Sequence, residues 1–191
     1  MKLEPTPRVE KIAVIERALT MMDATTNTII ETGTGHGDLA CLLRNLFDRV
    51  VTIELSESFV EKRQQLYGGM PKVEAITEDS RAVLPVLARE IDEPAVWFLD
   101  AHYCHLRTMA AAGGHAEMPL MEELSVLAAR PYEDIVIVDD VHAFNRRDKG
   151  GDHAGGGWQG VNEKSIAKQL GRVRTSYVDT DCFVMIRSCE T

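Results

Sequence analysis

The sequence predicts a three-layer α/β sandwich, a doubly wound and mostly parallel seven-stranded sheet with an antiparallel strand at its C-terminal end. Two observations predict it. Short apolar runs alternate with helical patterns five times over short connections, and strands that alternate with helices build a parallel sheet covered on both faces. The last two strands, Val173–Val178 and Phe183–Arg187, are joined only by Asp179-Thr-Asp181, too tight a link for a parallel crossover, so one of them runs antiparallel.

After Pro7, Ile12, Ile15, Leu19 and Met22 recur at helical spacing and form an N-terminal helical extension over residues 1–25. Thr28–Ile30 reads as a buried strand that runs into Glu31-Thr-Gly-Thr-Gly-His-Gly37. Asp38 is placed to cap a helix with Leu39, Leu42, Leu43 and Leu46 on its apolar side. Val50–Ile53 is the second strand. Ser56 and Ser58 are candidate caps for a helix that reaches Tyr67 and stops at Gly68-Gly69. Val73–Ile76, Ala95–Leu99 and Ile135–Val138 supply the next three strands, with helices over Ala82–Ile91 and from about Pro119 to Ala129. A long loop, Tyr103–Met118, precedes the second of these helices, and the Gly-rich stretch Gly150–Gly157 precedes a short helix near Asn162–Leu170. Loops of this length at such an edge serve as substrate lids.

A chain of 191 residues fits one domain. With 45% hydrophobic and 27% charged residues it needs no disulfide or structural metal to hold a core. The formal charge of −9 repels phosphate backbones, which argues against nucleic acid as a partner and for a small-molecule substrate. Arg146, Arg147 and Lys149 read as a solvated turn. Cys41, Cys104, Cys182 and Cys189 form no CxxC pair and read as unpaired thiols, Cys41 and Cys182 among them buried. Residues 1–7 lack an apolar signal core, and no apolar run approaches the roughly 18 residues that span a membrane, so a reduced, cytoplasmic setting without membrane contact is expected. A homodimer is compatible with this reading.

In Glu31-Thr-Gly-Thr-Gly-His-Gly37 the chain leaves a strand, turns and enters a helix, where glycines admit positive φ and let a ligand approach the backbone. The spacing is GxGxG, and Asp38 stands where a dinucleotide fold wants its third small residue. Glu31 before the turn does nothing for a pyrophosphate but suits the cationic amino group of a methionine moiety. Glu54, closing the second strand ahead of Leu55, can accept hydrogen bonds from ribose hydroxyls. Asp79 and Ser80 follow the third strand, where one accepts from an adenine amino group or either caps the next helix.

In this order, Glu31–Gly37, Glu54, Asp79-Ser80 and Phe98-Leu-Asp-Ala-His102 resemble the class I S-adenosylmethionine-dependent methyltransferases, over about Ile29 to Arg187. The resemblance implies a Rossmann-like fold and a single S-adenosylmethionine-binding domain over 1–191. It also implies that Glu31, Gly33, Gly35, Glu54 and Asp79 surround that cofactor, with Thr34, Gly37, Leu55, Ser80 and Asp100 beside them.

Asp100 ends the fourth strand and Asp139-Asp140 the fifth, so three carboxylates converge where a transferable methyl group would point. Crowded carboxylates repel unless protonated or neutralised, and an oxygen-rich cluster suits Mg²⁺ or another divalent metal. The pattern is similar to that of metal-dependent O-methyltransferases of the catechol and macrolide-sugar types, and the likeness carries over to Asp100, Asp139 and Asp140. It departs at Asp140, where the catechol type has Asn. His102, His105, His115 and His142 crowd the same region. His102 and His142 each lie two residues past an Asp and are candidate general bases, or nitrogen ligands that would favour Zn²⁺, Fe²⁺ or Mn²⁺. Trp158 is read as an anchor for the following helix, or as a surface on which an aromatic substrate stacks.

The expected function is methyl transfer from S-adenosylmethionine to a hydroxyl of a small molecule. The oxygen would be activated by a divalent ion at Asp100, Asp139 and Asp140, or by Asp100, His102 or His142 acting directly. Two alternatives are a metal-dependent enzyme of other chemistry on the same fold and a non-catalytic cofactor-binding or scaffold subunit.

Overall fold

A computed structural model describes residues 8–23, 25–56, 70–102, 118–145 and 158–189. The expected Ser58 cap and its helix to Tyr67, the loop with Cys104, His105 and His115, and the basic and Gly-rich residues 146–157 lie outside the described residues.

The elements are α1 (Arg8–Leu19), β1 (Thr28–Thr32), α2 (Asp38–Leu43), β2 (Arg49–Glu54), β3 (Val73–Thr77), α3 (Ser80–Glu90), β4 (Val96–Leu99), α4 (Leu120–Ala128), β5 (Ile135–Val138), a 3₁₀ turn (Val141–Ala143), α5 (Glu163–Leu170), β6 (Val173–Asp179) and β7 (Cys182–Arg187). One sheet orders the strands β3-β2-β1-β4-β5-β7-β6. β1 through β5 pair in parallel, and β7 alone runs against both of its neighbours, β5 and β6.

Two local expectations are corrected. Asp38 does not cap α2: Gly37, in the left-handed conformation at φ 83°, holds the N-cap position without a side-chain bond. Asp38 is the first helical residue and pairs with Arg8 of α1 at 3.1 Å. The helix stops after six residues, so its buried side is Leu39, Ala40 and Leu43, while Leu42 and Leu46 reach solvent. At α3 the cap is Asp79, whose side chain accepts from the Arg81 amide, and Ser80 already lies in the helix. At α5 Asn162 caps by accepting from the amides of Lys164 and Ser165.

Every residue of β1, β4, β5 and β7 is buried, so the two-residue period of a strand sorts them onto two cores. One face sends Ile29, Val50, Phe98 and Ile137 against Val14 and Ile15 of α1 and Leu39 and Leu43 of α2. The other sends Ile30, Ile53, Trp97 and Val136 against α3, α4 and α5, where Trp158 also packs. α1 thus covers the sheet. Among the described residues no helix is long and apolar enough to cross a membrane.

The amino edge of β5 is held by an ion cluster. Asp134, fully buried, accepts from Arg130 Nε at 2.9 Å, Arg187 Nη1 at 3.3 Å and the Ala95 amide at 3.0 Å. Arg130 also donates to the carbonyls of Ala88 and Ile91, each at 2.7 Å. Removing the carboxylate leaves two buried guanidinium charges uncompensated, so Asp134→Ala is expected to lower stability by about 3–5 kcal/mol in urea unfolding.

Candidate functional site

The carboxyl edge of the parallel strands carries the chemistry, and the strand period decides which face each group meets. Glu31 is opposite Thr52 in the β1–β2 register, and Glu54 lies two residues further along β2, so all three share the face covered by α1 and α2. Glu31 is 2% exposed and accepts from the Thr52 hydroxyl at 2.5 Å. With the Thr52 proton committed there, the Thr34 hydroxyl donates to Thr52. Glu54 accepts the Gly35 amide on Oε2 at 2.8 Å and the Ser56 amide on Oε1 at 2.9 Å. Both glutamates therefore grip the glycine turn, one through Thr34 and the other directly. Leu55 follows, half-buried.

The turn needs glycine for two different reasons. Gly33, at φ 80°, passes so close to the end of β4 that a Cβ there would lie 2.3 Å from the Asp100 carbonyl oxygen. Gly35, at φ 53°, has none of the described residues within 4 Å of where a Cβ would stand. Two buried or nearly buried carboxylates thus flank the turn, acceptors of the kind that a cationic group or a hydroxyl pairs with. Asp79 is engaged otherwise: its oxygens take the Arg81 amide at 2.9 Å and the Arg81 guanidinium at 2.7 and 3.1 Å. The hydrogen bond from Arg81 holds its carboxyl below the usual carboxylate range.

Beyond β4 and β5, the aspartates divide between two neighbourhoods. Asp100 and Asp139 share Lys11 of α1, whose ammonium lies 3.2 Å from Asp100 Oδ2, contacts Asp139 Oδ2, and sits 5.6 Å from the Phe98 ring centre. Burial alone would depress the Lys11 pKa, but the charges of Asp100 and Asp139 outweigh it and raise it. Burial pushes Asp100 upward, yet the hydrogen bond from His102 and the charge of Lys11 bring it below its ordinary value. Asp139 is pushed up to about 7 by burial and then by the charge of Asp100. It also accepts from Cys182 Sγ at 3.3 Å.

Asp140 takes the left-handed conformation at φ 62° and turns from Asp139 toward the histidines. Its Oδ2 is 3.2 Å from His102 Nδ1, which stands 3.4 Å from Asp100 Oδ1, and its Oδ1 is 3.7 Å from His142 Nδ1. Asp181, in the turn between β6 and β7 and 1% exposed, receives both groups of His142, the amide at 2.8 Å and ring Nδ1 at 2.5 Å. A carboxylate accepts, so Nδ1–H donates and Nε2 is left as the proton-accepting atom of the ring. Trp158 is buried, stacks on Phe144 at 5.7 Å and lies 6.0 Å from the His102 ring.

The structure thus brings together Asp100, His102, Asp140 and His142 of the residues singled out from sequence, and sets Asp139 apart with Lys11 and Cys182. Sequence reasoning missed Lys11, Asp181 and Glu123. Lys11 precedes Ile15 and Ala18 by four and seven residues, so it continues the buried stripe of α1. Glu123 likewise falls within the Leu120, Leu124 and Leu127 stripe of α4. A charge on a buried stripe was the available signal for both. Asp181 had none, since a tight turn accounts for an Asp by itself.

No family model and no curated protein matches the sequence. The structure is similar to a SAM-dependent methyltransferase from Aquifex aeolicus, with TM-score 0.53 and 19% identity over 94% of this chain and 90% of that one. It is similar to a SAM-dependent methyltransferase from Anabaena variabilis, with TM-score 0.56 and 13% identity over 98% and 88%. It is also similar to a candidate rRNA methylase from Clostridium thermocellum, with TM-score 0.57 and 12% identity over 92% and 95%. At such identities the likeness is one of architecture: the chain has the class I methyltransferase fold.

Glu123 is 1% exposed, and burial pushes its pKa up to about 7. A carboxyl whose pKa is raised on folding binds its proton more tightly in the native state, so stability falls as pH rises from the unfolded value toward the folded one. Between pH 4.5 and about 7 this group costs the wild type about 3 kcal/mol. Glu123→Gln is expected to remove that part of the fall, read from urea midpoints across the same pH range.

Proposed function

We propose that this chain is an S-adenosylmethionine-dependent methyltransferase acting on a hydroxyl of a small molecule. The observation that carries the reading is the joint grip of Glu31 and Glu54 on the glycine turn. When bound, S-adenosylmethionine supplies a methyl group on a positively charged sulfur. Glu31, backed by Thr52, would hold the cationic amino group, and Glu54 has lone pairs remaining for ribose hydroxyls. Asp79 supports this reading mainly by fixing the start of α3.

The substrate side supports oxygen as the acceptor atom. His142 is held in one tautomer by Asp181, so its Nε2 is prepared to take a proton from a hydroxyl. Asp181 stabilises the imidazolium that results. Lys11 offsets the charge of Asp100 and Asp139 without competing for His142. The net charge of −9 favours a small molecule over nucleic acid. A second reading, metal chemistry on the same fold, is favoured by the grouping of Asp100, His102 and Asp140 within ligand range.

Calorimetry with S-adenosylmethionine or its demethylated product is expected to give saturable one-site binding. No heat and no thermal shift at millimolar ligand overturns the cofactor assignment. Glu31→Gln should weaken binding by about 10- to 100-fold, the loss of a charge-assisted hydrogen bond of about 1.5–3 kcal/mol. Once an acceptor is found, His142→Gln should cut kcat by about 10²- to 10⁴-fold with cofactor affinity unchanged. An unaltered kcat would remove His142 from the proton transfer.

A further inference from the structure

We propose that the Lys11 ammonium is a built-in cation that takes the place of a divalent ion between Asp100 and Asp139, so that the acidic mouth works without metal. Three aspartates meet at this edge, and the resemblance to metal-dependent O-methyltransferases assigns them to one ion. The structure gives them other partners. Lys11 Nζ stands 3.2 Å from Asp100 Oδ2 and contacts Asp139 Oδ2, which is the position from which one cation reaches both carboxylates. The second oxygen of Asp139 accepts from Cys182 Sγ at 3.3 Å, and that of Asp100 faces His102 at 3.4 Å. Asp140 is turned by its left-handed backbone toward His102 and His142. Mg²⁺ demands a closed octahedron of oxygens at about 2.0–2.1 Å, whereas an ammonium answers carboxylates with three N–H donors and needs no such shell. A dication between Asp100 and Asp139 would stand against Nζ and be repelled by it.

Lys11 is fixed where it is by packing. It lies four residues before Ile15 and seven before Ala18, both fully buried, on the stripe that seats α1 against the sheet. Its side chain is 13% exposed, and its ammonium lies 5.6 Å from the Phe98 ring centre, a further attraction for a cation. Withdrawing the ammonium would leave Asp100 and the buried Asp139 side by side without a counter-charge. With Lys11 in this place, activation of an acceptor oxygen falls to His142 and Asp181, a pair that needs no Lewis acid. Lys11 holds its place whether or not the cofactor assignment stands.

Full-length wild type stripped with a chelator would be titrated with Mg²⁺ and Mn²⁺ by calorimetry, beside Lys11→Met, which keeps the apolar stem and removes the charge. Wild type is expected to bind neither ion at one per chain with a Kd below about 1 mM, and its Tm should not respond to Mg²⁺. Lys11→Met is expected to melt about 6–20 °C lower. It should regain at least about half of that loss in roughly 10 mM Mg²⁺, but not in NaCl of equal ionic strength, because the vacated place then takes an ion. A merely structural lysine would give the loss without this rescue. One Mg²⁺ or Mn²⁺ per wild-type chain, which the second reading of the function expects, overturns the proposal. So does a Lys11→Met protein that melts like wild type, or one that Mg²⁺ and NaCl affect alike. If Lys11→Met does not fold in dilute buffer, refolding with Mg²⁺ decides: recovery supports the replacement, and failure overturns it. S-adenosylmethionine binding measured on the stripped wild type separates failure of this proposal from failure of the cofactor assignment.

Discussion

Parallel strands deliver their C-terminal ends to one edge of a sheet, and the two-residue period of each strand fixes which face a side chain there meets. This constraint organises the molecule. Glu31 and Glu54 fall on one face, and α1 brings Lys11 to the same face beside Asp100 and Asp139. The turn after β1 can reach this edge only because Gly33 lets two backbones approach where a Cβ would collide with the end of β4. A single close approach of main chain to main chain thus joins the glycine turn to the acidic mouth.

Electrostatics divides that mouth into two neighbourhoods with different chemistry. Around Lys11 the carboxylates are balanced by a fixed cation, and Asp139 is buried enough to sit near neutrality. Around Asp140 the partners are the imidazoles of His102 and His142. The left-handed backbone of Asp140 makes the division, because it turns adjacent aspartates toward opposite partners. At the other edge of the sheet, the Arg130–Asp134–Arg187 cluster is buried, with the protein's own backbone satisfying much of it.

The architecture was legible because its signals are local and repeated. Apolar runs alternating with helical stripes predicted the parallel sheet, and the three-residue link at 179–181 predicted the reversed strand. Glu31, the glycines and Glu54 could be read as a site because strand ends and turns are encoded in consecutive residues. Less legible were Lys11 and Asp181, which lie 89 and 81 residues from Asp100 in the chain. Their roles come from packing across α1 and the β6–β7 turn, which no short window contains.

By itself, then, the sequence determined the fold class, the glycine turn with its two glutamates, and an acidic, histidine-bearing edge, since each follows from local periodicity or turn chemistry. Only the tertiary structure decided how the carboxylates are shared. Asp139 went to Lys11, Asp140 to His102, and Asp181 to His142. Charges choose partners by distance and burial, and both are properties of the packed chain rather than of neighbouring residues.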